Sequence, residues 1–172
     1  MKTYIAFFRG INVGGKNRLP MKDLVVAMQD AGASRVRTYI QSGNAVYSGA
    51  PGEAVKAAAL IEERHGFKPG VCVLGVEELR RALSENPFPE AEGKACHFNF
   101  CERIPDAVDE QRLELLRKES ERYALQGKVF YFYAPEGIGR SKLAAQAERC
   151  LGVTTTGRNL NTVMKTLALA EG

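Results

Sequence analysis

The segment from Arg9 to Pro20 has the residue types that hold an anion: Gly10, Gly14 and Gly15 alternate with Arg9, Asn12, Lys16, Asn17 and Arg18. Gly10, four residues and then Gly15-Lys16 nearly reproduce the phosphate-binding pattern G-x-x-x-x-G-K-[ST]. Asn17 breaks the pattern, because it lacks the hydroxyl that would hold magnesium. Pro20 breaks it more firmly. In that pattern the helix starts near the second glycine, and a proline inside a helix costs about 3 kcal/mol. A nucleoside triphosphatase is therefore disfavoured. A simpler role remains. The glycines let backbone N–H groups turn inward, and Arg9, Lys16 and Arg18 add positive charge, which suits a phosphate or carboxylate at a helix start. The alternative is a glycine loop whose basic side chains are only solvated.

Gln41-Ser42-Gly43-Asn44 is the second polar cluster. Its amides and hydroxyl would complete a polar pocket if the fold brings them beside the glycine loop. Turn chemistry alone also explains Ser42, Gly43 and Asn44. A third cluster, Thr154 to Asn159, precedes a predicted helix, with Asn159 as its N-cap and Arg158 beside it. Ser141 has the same capping character. Arg158 and Asn159 join the candidate ligand-binding residues.

The other reactive residues offer little. Cys72, Cys96, Cys101 and Cys150 contain no C-x-x-C pair and read as buried thiols. His65 and His97 are the two histidines, too few for a histidine-rich metal site, and no metal or cofactor is expected. An enzyme of phosphoryl or acyl chemistry would need a base, and Asp23 and Glu102 are the nearest acids in sequence. A ligand-free interaction module is the remaining reading.

The elements that must position these residues follow from periodicity. Lys2 to Arg9 reads as a strand. Pro20 to Ala31 reads as a helix, with Met21, Leu24, Val25 and Met28 at helical spacing. Val36, Thr38 and Ile40 alternate with polar residues as a second strand, and a Ser42-Gly43 turn leads into a third, Asn44 to Ser48. A helix from Pro51 to His65 and a strand from Gly70 to Leu74 complete β-α-β-β-α-β, the ferredoxin-like order. In it the first two strands run parallel, so the glycine loop and the Gln41 to Asn44 turn share one sheet edge.

Residues 76–93 read as a helix and connector, stopped at Asn86-Pro87. The second half repeats the order. It has a strand from Ala95 to Cys101, a helix from Asp106 to Glu119, and strands near Arg122 to Leu125 and Lys128 to Tyr133. A helix from Lys142 to Leu151 follows, and a terminal helix from Leu160 stands where a last strand would be. The expected organisation is an α+β chain of two tandem ferredoxin-like units with antiparallel sheets, 1–75 and 94–172. The aromatic strand Val129 to Tyr133 is read as core in preference to an RNA-stacking platform, because its aromatics alternate between both faces.

Composition agrees with a globular protein: 172 residues, 45% hydrophobic and 26% charged. The net charge of +4 is unevenly spread. Residues 1–50 hold seven Lys/Arg and two acids, so the surplus lies in the first fifty residues. The longest N-terminal apolar run, Tyr4 to Phe8, is too short to span a membrane, and a cytoplasmic setting is expected. The expected partners are a phosphate-bearing small molecule or a nucleic acid, with no membrane. Oligomeric state is not readable.

Arg9-Gly-Ile-Asn-Val-Gly-Gly-Lys16, Tyr39-Ile-Gln-Ser-Gly-Asn44 and Arg158-Asn-Leu-Asn-Thr-Val163 together resemble the marker motifs of a bacterial family, domain of unknown function 1697. The resemblance spans nearly the whole chain. It implies a two-part α+β fold with ferredoxin-like character and no established activity, so it supplies no catalytic residue.

Overall fold

The computed structural model describes residues 1–172. The chain forms two compact units, residues 1–81 with 164–172, and residues 82–163.

The first unit contains β1 (Lys2–Arg9), α1 (Met21–Asp30), β2 (Ser34–Tyr39), β3 (Asn44–Gly49), α2 (Gly52–His65), β4 (Gly70–Gly75) and α3 (Val76–Ser84), the last of which runs past Arg81. Its sheet order is β2-β3-β1-β4, and every neighbouring pair is antiparallel. That is the ferredoxin-like arrangement. The apolar stripe of α1 places Leu24, Ala27 and Met28 against Ala6, Phe8 and Tyr47 of the sheet. Helix α2 contributes Ala54, Ala57 and Ile61 to the same core. Burying side chains such as Phe8, Leu24 and Met28 stabilises the unit by roughly 1.5–3 kcal/mol each. Gly66, at φ +82, closes α2 in a left-handed cap.

The second unit contains β5 (Cys96–Cys101), α4 (Glu110–Leu116), β6 (Arg122–Gln126), β7 (Val129–Tyr133), α5 (Lys142–Leu151) and β8 (Thr155–Asn159); α6 (Leu160–Glu171) starts in it, and from Met164 onward belongs to the first unit. Its sheet order, β6-β7-β5-β8, repeats that of the first unit. Two details differ from the sequence expectation. The fourth strand exists: β8 pairs with β5, and Gly157 faces Asn99. Helix α4 is shorter than Asp106 to Glu119. Asp109 caps its start by accepting from Arg112 N at 3.0 Å. Arg117 turns extended at its end, and its guanidinium donates to the carbonyls of Lys118, Glu119 and Glu121.

The aromatic strand is core. Phe98, Phe130, Tyr131 and Phe132 are all buried, and Tyr131 donates to the Ala82 carbonyl at 2.7 Å. Burial pushes the Tyr131 hydroxyl up to about 12, so it stays a donor. No helix is long and apolar enough to cross a membrane.

Candidate functional site

In the first unit, β1 and β2 are both antiparallel to β3, so they point the same way. Arg9 and Tyr39 therefore end at one sheet edge. Strand β4 begins at that edge too, because Arg9 pairs with Gly70. The edge collects the 10–20 loop, the β2–β3 turn and the segment that enters β4.

The loop folds on itself. Lys16 N donates to Val13 O and Asn12 N to Asn17 O, both at 3.0 Å. Gly14 and Gly15 sit at φ +58 and +74, the paired positive φ of a type I′ hairpin turn. A Cβ at either glycine would meet nothing within 4 Å, so the requirement is conformational. The loop is thus a small hairpin with an exposed tip, and it ends four residues before α1 starts. Two of the loop's N–H groups, those of Asn12 and Lys16, are spent on closing the hairpin.

The asparagines build this edge. Asn12 Nδ2 donates to Leu19 O at 2.9 Å and to Gln41 O at 2.8 Å, while its Oδ1 accepts from Leu19 N at 2.8 Å. One side chain therefore ties the loop to itself and to the next turn. Asn17 Nδ2 donates to Gly10 O at 2.9 Å. Asn44 is fully buried, and its Nδ2 donates to Tyr39 O and Ser42 Oγ, each at 2.9 Å. Asn12, Asn17 and Asn44 thus hold backbone in place. Gly43, at φ +88, seals the junction. A Cβ there would lie 2.5 Å from Ile11 Cδ1, and its carbonyl accepts from Phe8 N at 2.8 Å.

Arg9, Lys16, Arg18 and Gln41 are exposed at this edge, and Ser42 is half-buried. The stem of Arg9 lies across Gly70, where a Cβ would sit 3.4 Å from Arg9 Cβ. Lys68, also exposed, enters the edge just before Gly70. Sequence reasoning missed Lys68, and the Arg9–Gly70 pairing that brings it in is not visible along the chain. No Asp or Glu occurs in residues 1–22 or 31–52, and Asp23 lies in the first turn of α1.

Residues 1–131 match the profile of a family described as "Protein of unknown function (DUF1697)". The chain belongs to that family. Among solved structures it is similar to a conserved bacterial protein from Streptococcus pneumoniae, at 21% identity over 98% of each chain with a TM-score of 0.66. That likeness concerns the fold. No curated protein matches the chain in sequence.

The remaining candidates of this DUF1697 member lie in the second unit. Asn159 Oδ1 accepts from Thr162 N at 2.9 Å and caps α6, as its position suggests. Ser141 caps α5 through a 3.0 Å bond from Ala144 N. The threonine run has a structural partner as well: Thr155 donates to Glu148 Oε2 from its N–H at 2.8 Å and its hydroxyl at 3.3 Å. Arg158 lies opposite Phe98 in the β5–β8 ladder, and its Nη1 donates to Gly157 O at 2.9 Å. Glu102 also belongs to this unit, and Asp23 to the first. The cysteines are free, and burial pushes the Cys96 and Cys101 thiols up to about 11. One cavity of about 280 Å³ lies between the Pro87 to Ala91 segment and the side chains of Arg122 and Tyr133. The sequence reading treated that segment only as a connector.

Proposed function

We propose that the double-hairpin edge of the first unit binds phosphate groups, and that a nucleic-acid backbone suits it better than a small phosphate ligand. The observation that carries this reading is the division of labour at the edge. Its asparagine amides are engaged with backbone carbonyls, while Lys16 stands exposed on the hairpin and Arg18 stands exposed just after it. A small anion needs several donors converging on one point. A polyanion needs spaced positive charge, which neutralises successive phosphates and releases counterions. Arg9, Lys68 and Gln41 extend the same surface. A bacterial cytoplasm is part of the proposal and accords with four free cysteines.

The test is a titration of the chain with a labelled oligonucleotide, with nucleoside triphosphates and sugar phosphates as competitors, at two salt concentrations. The oligonucleotide should bind more tightly than the small ligands, and salt should weaken it steeply. Lys16→Ala should weaken binding several-fold and reduce the salt slope by about one. Equal titration curves for wild type and Lys16→Ala would remove this reading.

A further inference from the structure

We infer that the preferred nucleic acid is single-stranded, and that Val13 and Ile40 pack against its bases; this inference rests on the phosphate-binding reading above. It starts from a conformational anomaly. The alternation of Val36, Thr38 and Ile40 continues β2 through Ile40, but the strand ends at Tyr39. Ile40 instead opens the turn at φ +51. A β-branched residue is a poor occupant of this region, where glycine and asparagine are usual. The turn is held firmly around it, because Asn44 Nδ2 bonds both Tyr39 O and Ser42 Oγ. Packing within the chain leaves about half of the residue open, since Ile40 is 49% exposed. A strained, exposed aliphatic residue on a rigid turn points to a contact outside the chain.

A second apolar residue stands close by. Val13, at the base of the Gly14-Gly15 turn, is 65% exposed. Asn12 Nδ2 bonds Gln41 O at 2.8 Å, so the residues next to Val13 and Ile40 are joined directly. Two aliphatic tips thus share the edge that carries Lys16 and Arg18. This pairing of apolar contact with positive charge matches a base face beside its phosphate. The kind of contact selects the strand form. An apolar side chain packs on a base face only where that face is unstacked. Bases offer such faces in a single strand, whereas a duplex stacks them away.

The experiment titrates the whole chain with a mixed-sequence single-stranded oligonucleotide, the matching duplex, and polyphosphate, which has phosphates but no bases. The single strand should bind several-fold more tightly than the duplex. Ile40→Asn should raise the melting temperature by relieving the turn, weaken single-strand binding several-fold and leave polyphosphate binding unchanged. Ile40→Leu should keep most of the oligonucleotide affinity, whereas Lys16→Ala should weaken both ligands. Wild-type affinity in Ile40→Asn, an unraised melting temperature in that variant, or a duplex bound as tightly as the single strand would overturn the inference. Polyphosphate binding without oligonucleotide binding would also overturn it, yet leave a phosphate-binding edge. Insensitivity to Lys16→Ala would instead count against the phosphate reading itself.

Discussion

Replacing Asn12 with alanine is the sharpest test of how the hairpin edge is built. Three hydrogen bonds of 2.8–2.9 Å disappear, to Leu19 O, Gln41 O and Leu19 N. Each contributes about 1 kcal/mol net. Leu19 is fully buried, so its N–H would lose the Asn12 Oδ1 acceptor where water has poor access. Asn12 also sits at φ +53, a region asparagine tolerates and alanine does not, for about 1 kcal/mol more. Asn12 itself is half-buried, so water recovers part of the loss. The expected net cost is about 3 kcal/mol, or roughly 6–12 °C in melting temperature for a chain of this size. The chain has no tryptophan, so urea and thermal unfolding are best followed by circular dichroism. Asn12→Asp is the discriminating companion. It keeps the acceptor for Leu19 N and the tolerance of positive φ, but sets a carboxylate against the Leu19 and Gln41 carbonyls. It should therefore lose at least as much as alanine. A loss under about 0.5 kcal/mol in Asn12→Ala, or wild-type stability in Asn12→Asp, would refute the clip as the organiser of this edge.

Gly43→Ala should destabilise by about 2–4 kcal/mol, combining positive φ with a Cβ 2.5 Å from Ile11 Cδ1. Gly14→Ala should cost only about 1 kcal/mol, since a Cβ there meets nothing within 4 Å; equal losses in urea melts would contradict that distinction. Burial holds the His97 imidazole below its ordinary range, partly opposed by a backbone hydrogen bond at Lys94. The unfolded state then binds the extra proton first, so this contribution to stability is present above about pH 6.5 and declines as pH falls below it. His97→Phe should show a shallower stability loss than wild type between pH 7.5 and 5, and parallel curves would exclude a buried neutral histidine.

How much was legible depended on whether the signal was local. The ferredoxin-like order was readable because several helices announce themselves by period or cap: Met21 to Met28 by spacing, Ser141 and Asn159 by chemistry. Strand β8 was missed because Thr155–Asn159 has no apolar alternation. Its pairing comes from β5, more than fifty residues earlier. Gly10, Gly15 and Lys16 overlap a phosphate-loop spacing, yet Val13-Gly14-Gly15-Lys16 is also the plainer pattern of a two-glycine hairpin turn, which the chain adopts. Ile40 was placed on the strand because its alternation is correct, and nothing in a period-two pattern says where the turn begins.

The two motif segments of the hairpin edge separate into residues that build and residues that remain available. Asn12, Asn17, Asn44 and Gly43 are engaged in backbone bonds or close contact. Val13, Lys16, Arg18, Ile40 and Gln41 project from the platform they make. Changes in the first group should act mainly on stability, and on binding only through it. Changes in the second should act on binding with little loss of fold, and Ile40→Asn should even gain stability. That opposition gives the edge its diagnostic value. A surface selected only for folding would not keep a β-branched residue at φ +51 where asparagine would sit at lower energy. If the stabilising substitution is also the one that weakens binding, the strain at Ile40 is explained by what the edge contacts.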